Sequence, residues 1–186
     1  MNSNIERAIL DGAFEETELG LFFPRERLMV AGLFSYNKKG EPEEYSENLV
    51  VTEGLNYIVG AAVKGTSPII NWYIAPFSGD VTVQATWTGV NFTTNATEVT
   101  AYTSLTRPAW TGGTVAAGAV NSFSAKAQFE ATSDAVVIRG AGMISLSTKS
   151  GNTGTLLGAS RFPSAKTLDT GEILEIGYGL QISPVV

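Results

Sequence analysis

No cysteine and no histidine occur in the 186 residues. Disulfide scaffolds, thiolate or imidazole metal sites, and the Ser-His and Cys-His nucleophile systems are therefore excluded. Long apolar runs are also missing: no stretch of 18 uncharged apolar residues is present, so no membrane-spanning helix is expected. The amino terminus lacks a basic segment followed by an apolar core, so no secretory signal is expected either. Charge is scarce over most of the chain. Residues 1–53 hold 11 of the 18 acidic and 5 of the 12 basic residues, a local net of −6, whereas residues 54–186 hold seven of each. The seven later cations do not cluster, and this argues against a nucleic-acid partner, whose phosphates need a basic stripe. These absences together favour a binding or structural role and argue against an enzyme.

What is present is alternation. Val81, Val83, Ala85 and Trp87 alternate with Thr82, Gln84, Thr86 and Thr88. Phe123, Ala125, Ala127 and Phe129 alternate with Ser124, Lys126, Gln128 and Glu130. Leu174, Ile176, Tyr178, Leu180 and Ile182 alternate with Glu175, Gly177, Gly179 and Gln181. Residues 28–36 and 138–147 are mixed but strand-like. A period of two sends one set of side chains to a core and the other outward. Turn signals separate these runs at Ser78-Gly79-Asp80, Gly112-Gly113, Ser150-Gly151-Asn152 and Asp169-Thr170-Gly171. The spacing predicts an all-β fold, an antiparallel sandwich or jelly roll over 28–186. One short helix is expected, capped by Thr52, with Leu55, Ile58, Val59 and Ala62 facing the core and Gly65 ending it.

Residues 1–27 keep neither period. Acidic residues alternate irregularly with Ile9, Leu10, Phe14, Leu19, Leu21, Phe22 and Phe23, and Pro24 closes the segment. It reads either as an arm that packs on a neighbouring subunit or as an ordinary terminal element of the same domain. Phe14, Leu21, Phe22 and Phe23 are its candidate contact residues. Glu41-Pro42-Glu43-Glu44, after Lys38-Lys39-Gly40, reads as a solvated hairpin tip.

Look-alike motifs are better explained by structure. Asp169-Thr170-Gly171 has the core of an aspartic-protease signature, but Glu172 replaces the expected hydroxyl residue, and Asp-x-Gly between strands is an ordinary turn. Gly140-Ala141-Gly142 lacks the third glycine, helix and downstream acid of a dinucleotide loop, so close packing in a strand explains it better. Glu172 and Glu175 fall on opposite faces of a strand and do not converge as an acid and base. No Asp-x-Asp-x-Asp-Gly spacing for calcium occurs. Trp110, within Arg107-Pro108-Ala109-Trp110, is the best candidate for an exposed aromatic, although core packing is the commoner use of such a residue. Arg107 and Arg161 are candidate interface anchors, or ordinary surface arginines with their stems over apolar neighbours.

The order of segments from Asn48 onward carries a resemblance. Asn48 to Ile58 (NLVVTEGLNYI) is followed by Asn71 to Phe77 (NWYIAPF), Glu98 to Tyr102 (EVTAY), Thr106 to Trp110 (TRPAW), Gly140 to Ser145, and Gly154 to Phe162, before a final alternating strand. Over roughly residues 45–183 this resembles tailed-bacteriophage virion proteins of the head-decoration, or capsid cement, type. The resemblance implies a protein made in the host cytoplasm that binds the outer surface of the assembled major capsid protein lattice. It implies self-association as a dimer or trimer, no cofactor, no metal, and no nucleic-acid or membrane partner. Three other functions stay open: a host-glycan-binding module of a tail or fibre, a neck or tail ring of six or twelve copies, and a hydrolase. Copy number in purified particles separates them.

Overall fold

The computed structural model describes residues 28–184, together with Gly20 and the backbone of two short strands in the amino-terminal segment. Those strands, β1 (Phe14–Glu16) and β2 (Phe22–Pro24), pair antiparallel with Phe14 opposite Pro24 and Glu16 opposite Phe22. The chain divides into two compact units, Ala31–Gln181 and Met1–Val30 with Ile182–Val186.

Eight further strands form one mixed-length antiparallel sheet. They are β3 (Leu28–Lys38), β4 (Glu44–Val50), β5 (Tyr73–Phe77), β6 (Ala119–Asn121), β7 (Ala127–Glu130), β8 (Val136–Ile144), β9 (Leu156–Leu168) and β10 (Ile173–Pro184). Their order is β5-β8-β9-β4-β3-β10-β6, with β7 also on β10. The short strands β6 and β7 share the outer edge of β10: Asn121 lies opposite Gly179, and Ala127 opposite Ile176. At the other end, β5 pairs β8, while single bridges join Tyr73 to Ala109 and Phe77 to Glu98.

One apolar cluster explains why the sheet curls. Ile74 from β5 and Phe129 from β7, on strands at opposite ends of the order, share a core with Phe34, Tyr36, Ile138, Met143, Phe162, Leu174, Ile176 and Tyr178. A flat sheet could not bring both ends to one interior. Tyr36 stacks on Phe162 with centroids 3.9 Å apart, and Phe34 leans on Tyr178 at 4.8 Å. A second cluster sits on the opposite face of the β5-β8-β9 end. There Phe77, Ile144, Leu156 and Ala159 are covered by Trp87, Phe92 and Ala96. Gly140 and Gly142 make room for this layer and its neighbours. A Cβ on Gly142 would come within 2.6 Å of the Phe92 ring, and one on Gly140 within 2.2 Å of Phe77. The look-alike dinucleotide loop is thus a pair of packing glycines in β8.

The alternating strand Leu174–Ile182 and the strands read at 28–36 and 138–147 are present as β10, β3 and β8. Two expectations need correction. Residues 81–88 form no strand: Val81, Val83 and Trp87 do turn inward, but the backbone makes a loop that covers the second cluster instead of joining a ladder. Of residues 123–130 only Ala127–Glu130 is a strand, because the chain leaves the sheet edge between Ser122 and Lys126. Asp169-Thr170-Gly171 is the tight β9–β10 turn, with Gly171 at φ +84° and the Glu172 amide donating to the Asp169 carbonyl at 2.9 Å.

Among the described residues there are two helices, α1 (Thr52–Val63) and the single-turn α2 (Phe92–Ala96). The cap position of α1 is Val51, not Thr52, and no side chain caps it. Its buried face also differs from the one expected: Gly54 is buried, with Tyr57 and Ile58 half-buried against the core. A Cβ on Gly54 would lie 2.1 Å from the Leu157 carbonyl oxygen. That missing side chain lets the helix backbone sit directly on β9 and sets its rotation. Leu55, Val59 and Ala62 are consequently exposed.

Candidate functional site

Arg107 is at the centre of an internal knot. Its Nε and Nη2 donate to the two carboxylate oxygens of Glu98, each at 2.8 Å, and its Nη1 donates to the Leu146 carbonyl at 2.9 Å. Nη2 also donates to the Gly151 carbonyl at 3.1 Å, and the Ser150 amide donates to Glu98 at 2.9 Å. The side chains of Arg107 and Glu98 are 0% and 2% exposed. The bidentate pair thus ties the 98–107 segment to the turn between β8 and β9. Arg107 was a candidate surface anchor; the correction is that its guanidinium is wholly occupied by its own chain.

Trp110 is half-buried and donates its indole N–H to the Tyr178 carbonyl at 3.0 Å. Trp72 and Trp87 are buried. All three tryptophans therefore pack against the interior, Trp110 only in part. Arg161 is exposed on β9 and pairs with Asp80, its Nε donating at 2.7 Å. Leu21 lies outside the described residues, as do the side chains of Phe14, Phe22 and Phe23, whose backbones form β1 and β2.

The segments that carry the sequence resemblance fall mainly on joints of the fold. Glu53, in the first turn of α1, accepts from the amides of Gly89 (2.8 Å) and Leu156 (2.7 Å). Asn48 donates to the Tyr178 hydroxyl at 3.1 Å, and Tyr57 meets Trp72 edge to face at 5.4 Å. These contacts set the scaffold.

The surface has a different character. Leu55, Val59 and Val63 follow one another at intervals of four along α1, and all three face solvent, Val63 at 82%. Ile70, shortly after the helix, is 84% exposed, and Leu105 is 93% exposed. A row of β-branched and leucine side chains on the outer face of a helix departs from the usual amphipathic arrangement, in which that face is polar. Concentrated exposed apolar side chains of this kind mark protein contact surfaces. No periodicity argument could assign the outward face correctly, because both faces of α1 are apolar and a glycine decides between them.

The tip around Glu41–Glu44 is the β3–β4 hairpin turn, with Glu41, Pro42 and Glu43 exposed and Glu44 half-buried, and its carboxylates join a charge network. Lys166 meets Glu44 at 2.5 Å and Glu41 at 3.7 Å, and the Tyr36 hydroxyl donates to Glu44 at 2.9 Å. These partners hold the Glu44 carboxyl below its usual range, the Lys166 hydrogen bond contributing most. Glu43 contacts Lys126, Ser35 and Tyr45, which hold its carboxyl down at about 2, again led by the lysine. An open pocket of about 290 Å³ beside this network is lined by Lys38, Lys39, Glu41, Gly171, Glu172 and Ile173, and two of these, Lys38 and Glu172, pair at 2.9 Å. No protein-family model, curated protein or solved structure matches the chain. Among the described residues, no helix is long and apolar enough to cross a membrane.

Proposed function

We propose that this chain is a head-decoration protein of a tailed bacteriophage, a sandwich or jelly roll that attaches to the outside of the assembled major capsid protein lattice and stabilises it. The observation that carries the reading is the solvent-facing apolar row Leu55, Val59 and Val63 on a body with few charges. Burying such a row against a protein neighbour yields about 25 cal/mol per Å² of apolar surface, without desolvating or immobilising long charged side chains. The ordered segments from Asn48 to Phe162 supply the direction of the proposal, since they resemble decoration proteins. A ligand that binds only the assembled lattice stabilises it by mass action, and linking copies as dimers or trimers strengthens weak single contacts through effective concentration.

The inward packing of all three tryptophans speaks against a tryptophan-based glycan platform. Quantitative gel analysis of purified particles tests the proposal: on the order of hundreds of copies per particle are expected from lattice symmetry. About six or twelve copies would instead indicate a neck or tail ring. The double variant V59E/V63E should retain its circular dichroism and melting temperature yet fail to bind capsids stripped of decoration. Full occupancy by that variant would remove α1 from the contact.

A further inference from the structure

The sheet face that points away from the main core carries an arrangement suited to covalent chemistry. Ser35 and Asn37 of β3 project to that face, and the β3–β4 register, with Ser35 opposite Tyr45, continues to set Asn37 opposite Glu43. On the other side of β3 lies β10, whose Gly177 has no side chain. The excursion that separates β6 from β7 folds over this gap. Lys126 lays its stem across Gly177, where a Cβ would meet its Cγ at 3.3 Å and the Phe123 ring at 3.0 Å. Lys126 then reaches Asn37, its Nζ donating to Oδ1 at 2.8 Å. Asn37 is 6% exposed and the Lys126 side chain 12%. Phe123 and Tyr45 meet edge to face at 6.1 Å beside them.

From this geometry we propose that Lys126 and Asn37 join in an intramolecular isopeptide bond, with Glu43 as the proton carrier. The carbonyl carbon of Asn37 lies one C=O bond, about 1.23 Å, beyond the oxygen that Nζ already touches. The amide is held the right way round: Nδ2 donates to the Lys38 carbonyl at 3.0 Å and faces Glu175 Oε2 at 3.5 Å, which leaves the oxygen for the lysine. Glu175 is itself fixed by Gln128 at 3.0 Å. Glu43 touches Nζ directly and is positioned by the Ser35 hydroxyl at 2.5 Å and by Tyr45.

The steps balance without any oxidant or cofactor. The ion pair favours both charged forms, so the uphill step is the transient transfer of a proton from the Lys126 ammonium to Glu43, after which the neutral amine attacks Cγ of Asn37. The new Nζ–Cγ bond forms, and the Cγ–Nδ2 bond then breaks. Of the three ammonium protons, one stays on the new amide and two depart on Nδ2 as ammonium, leaving Glu43 a carboxylate again. An amine and a carboxamide react slowly in water; holding them in contact supplies effective molarities of about 10⁵–10⁸ M, and a carboxylate at hydrogen-bond distance supplies the proton transfers. The product clamps residues 89 apart in sequence.

Intact-mass measurement of the purified full chain decides the matter. The wild type should be lighter than its sequence mass by one ammonia, about 17 Da. Trypsin should fail to cut after Lys126, and a branched peptide should link it to Asn37. K126R and N37A should run at their sequence masses and melt at lower temperature. The isosteric E43Q should fold with unchanged circular dichroism but remain unlinked, or link at least tenfold more slowly. A wild-type chain that stays at its sequence mass after days at neutral pH, with Lys126 open to amine labelling, would overturn the bond and leave an ordinary hydrogen bond. Linkage of E43Q at the wild-type rate would overturn the role of Glu43.

Discussion

Arg107 is a charge without access to water, tolerable because the Glu98 carboxylate and the Leu146 and Gly151 carbonyls converge on it. Removing one partner strands the other, so R107A or E98A should lower the unfolding free energy by about 3–5 kcal/mol. The paired apolar replacement R107M/E98L should cost much less, since no lone charge remains; chemical denaturation of the three variants distinguishes the outcomes. Glu44 behaves differently because it is partly solvated. Its folded pKa lies below the usual 4.5, so its contribution is complete above that pH and is lost as pH falls through the lower folded value. Unfolding free energies from urea titrations between pH 7 and pH 2.5 should fall less for E44Q than for the wild type, by under about 1 kcal/mol. Arg107 illustrates what one sequence conceals. A lone arginine among apolar residues and a lone glutamate nine positions earlier were visible, but their pairing depends on a loop that no periodicity describes.

The helix α1 shows how backbone approach outranks side-chain pattern. Replacing Gly54 with alanine raises intrinsic helix propensity by about 1 kcal/mol. The added Cβ, however, would stand 2.1 Å from a β9 carbonyl, and backbone on both sides leaves nothing flexible to yield. Overpacking of this kind costs about 1–3 kcal/mol, so G54A should be net destabilising in thermal melts. A gain in melting temperature would show that the helix can lift without loss. The same element explains a limit of legibility. Leu55, Val59 and Ala62 formed a credible core face by spacing, yet the chain turns them outward so that Gly54 can meet Leu157. Strands β3 and β10 were legible because one face of each enters the main core and the other bears mostly polar or small residues, whereas β8 reads as mixed because both of its faces are covered near Ile144. Residues 81–88 had the alternation without the ladder, since an inward-outward pattern also suits a loop laid over a sheet. The Lys126–Asn37 meeting depends on Gly177 and on a broken edge strand, and neither leaves a sequence pattern.

At the scale of the molecule, the sheet joins strands far apart in sequence: β4 meets β9 at Leu49 opposite Ala159, and β3 lies beside β10. Loops of that length close late, so stopped-flow refolding should take about milliseconds to seconds, far slower than a helical bundle of this size. Sub-millisecond refolding would contradict the strand order. The two margins of the sheet carry a consequence for crowding. One is occupied by strands of three and four residues with a break between them; the other has Pro76 and is bridged by the chain at Ala109 and Glu98. Among the described residues neither margin presents a long row of vacant amides, so closely packed copies would resist zippering into fibrils.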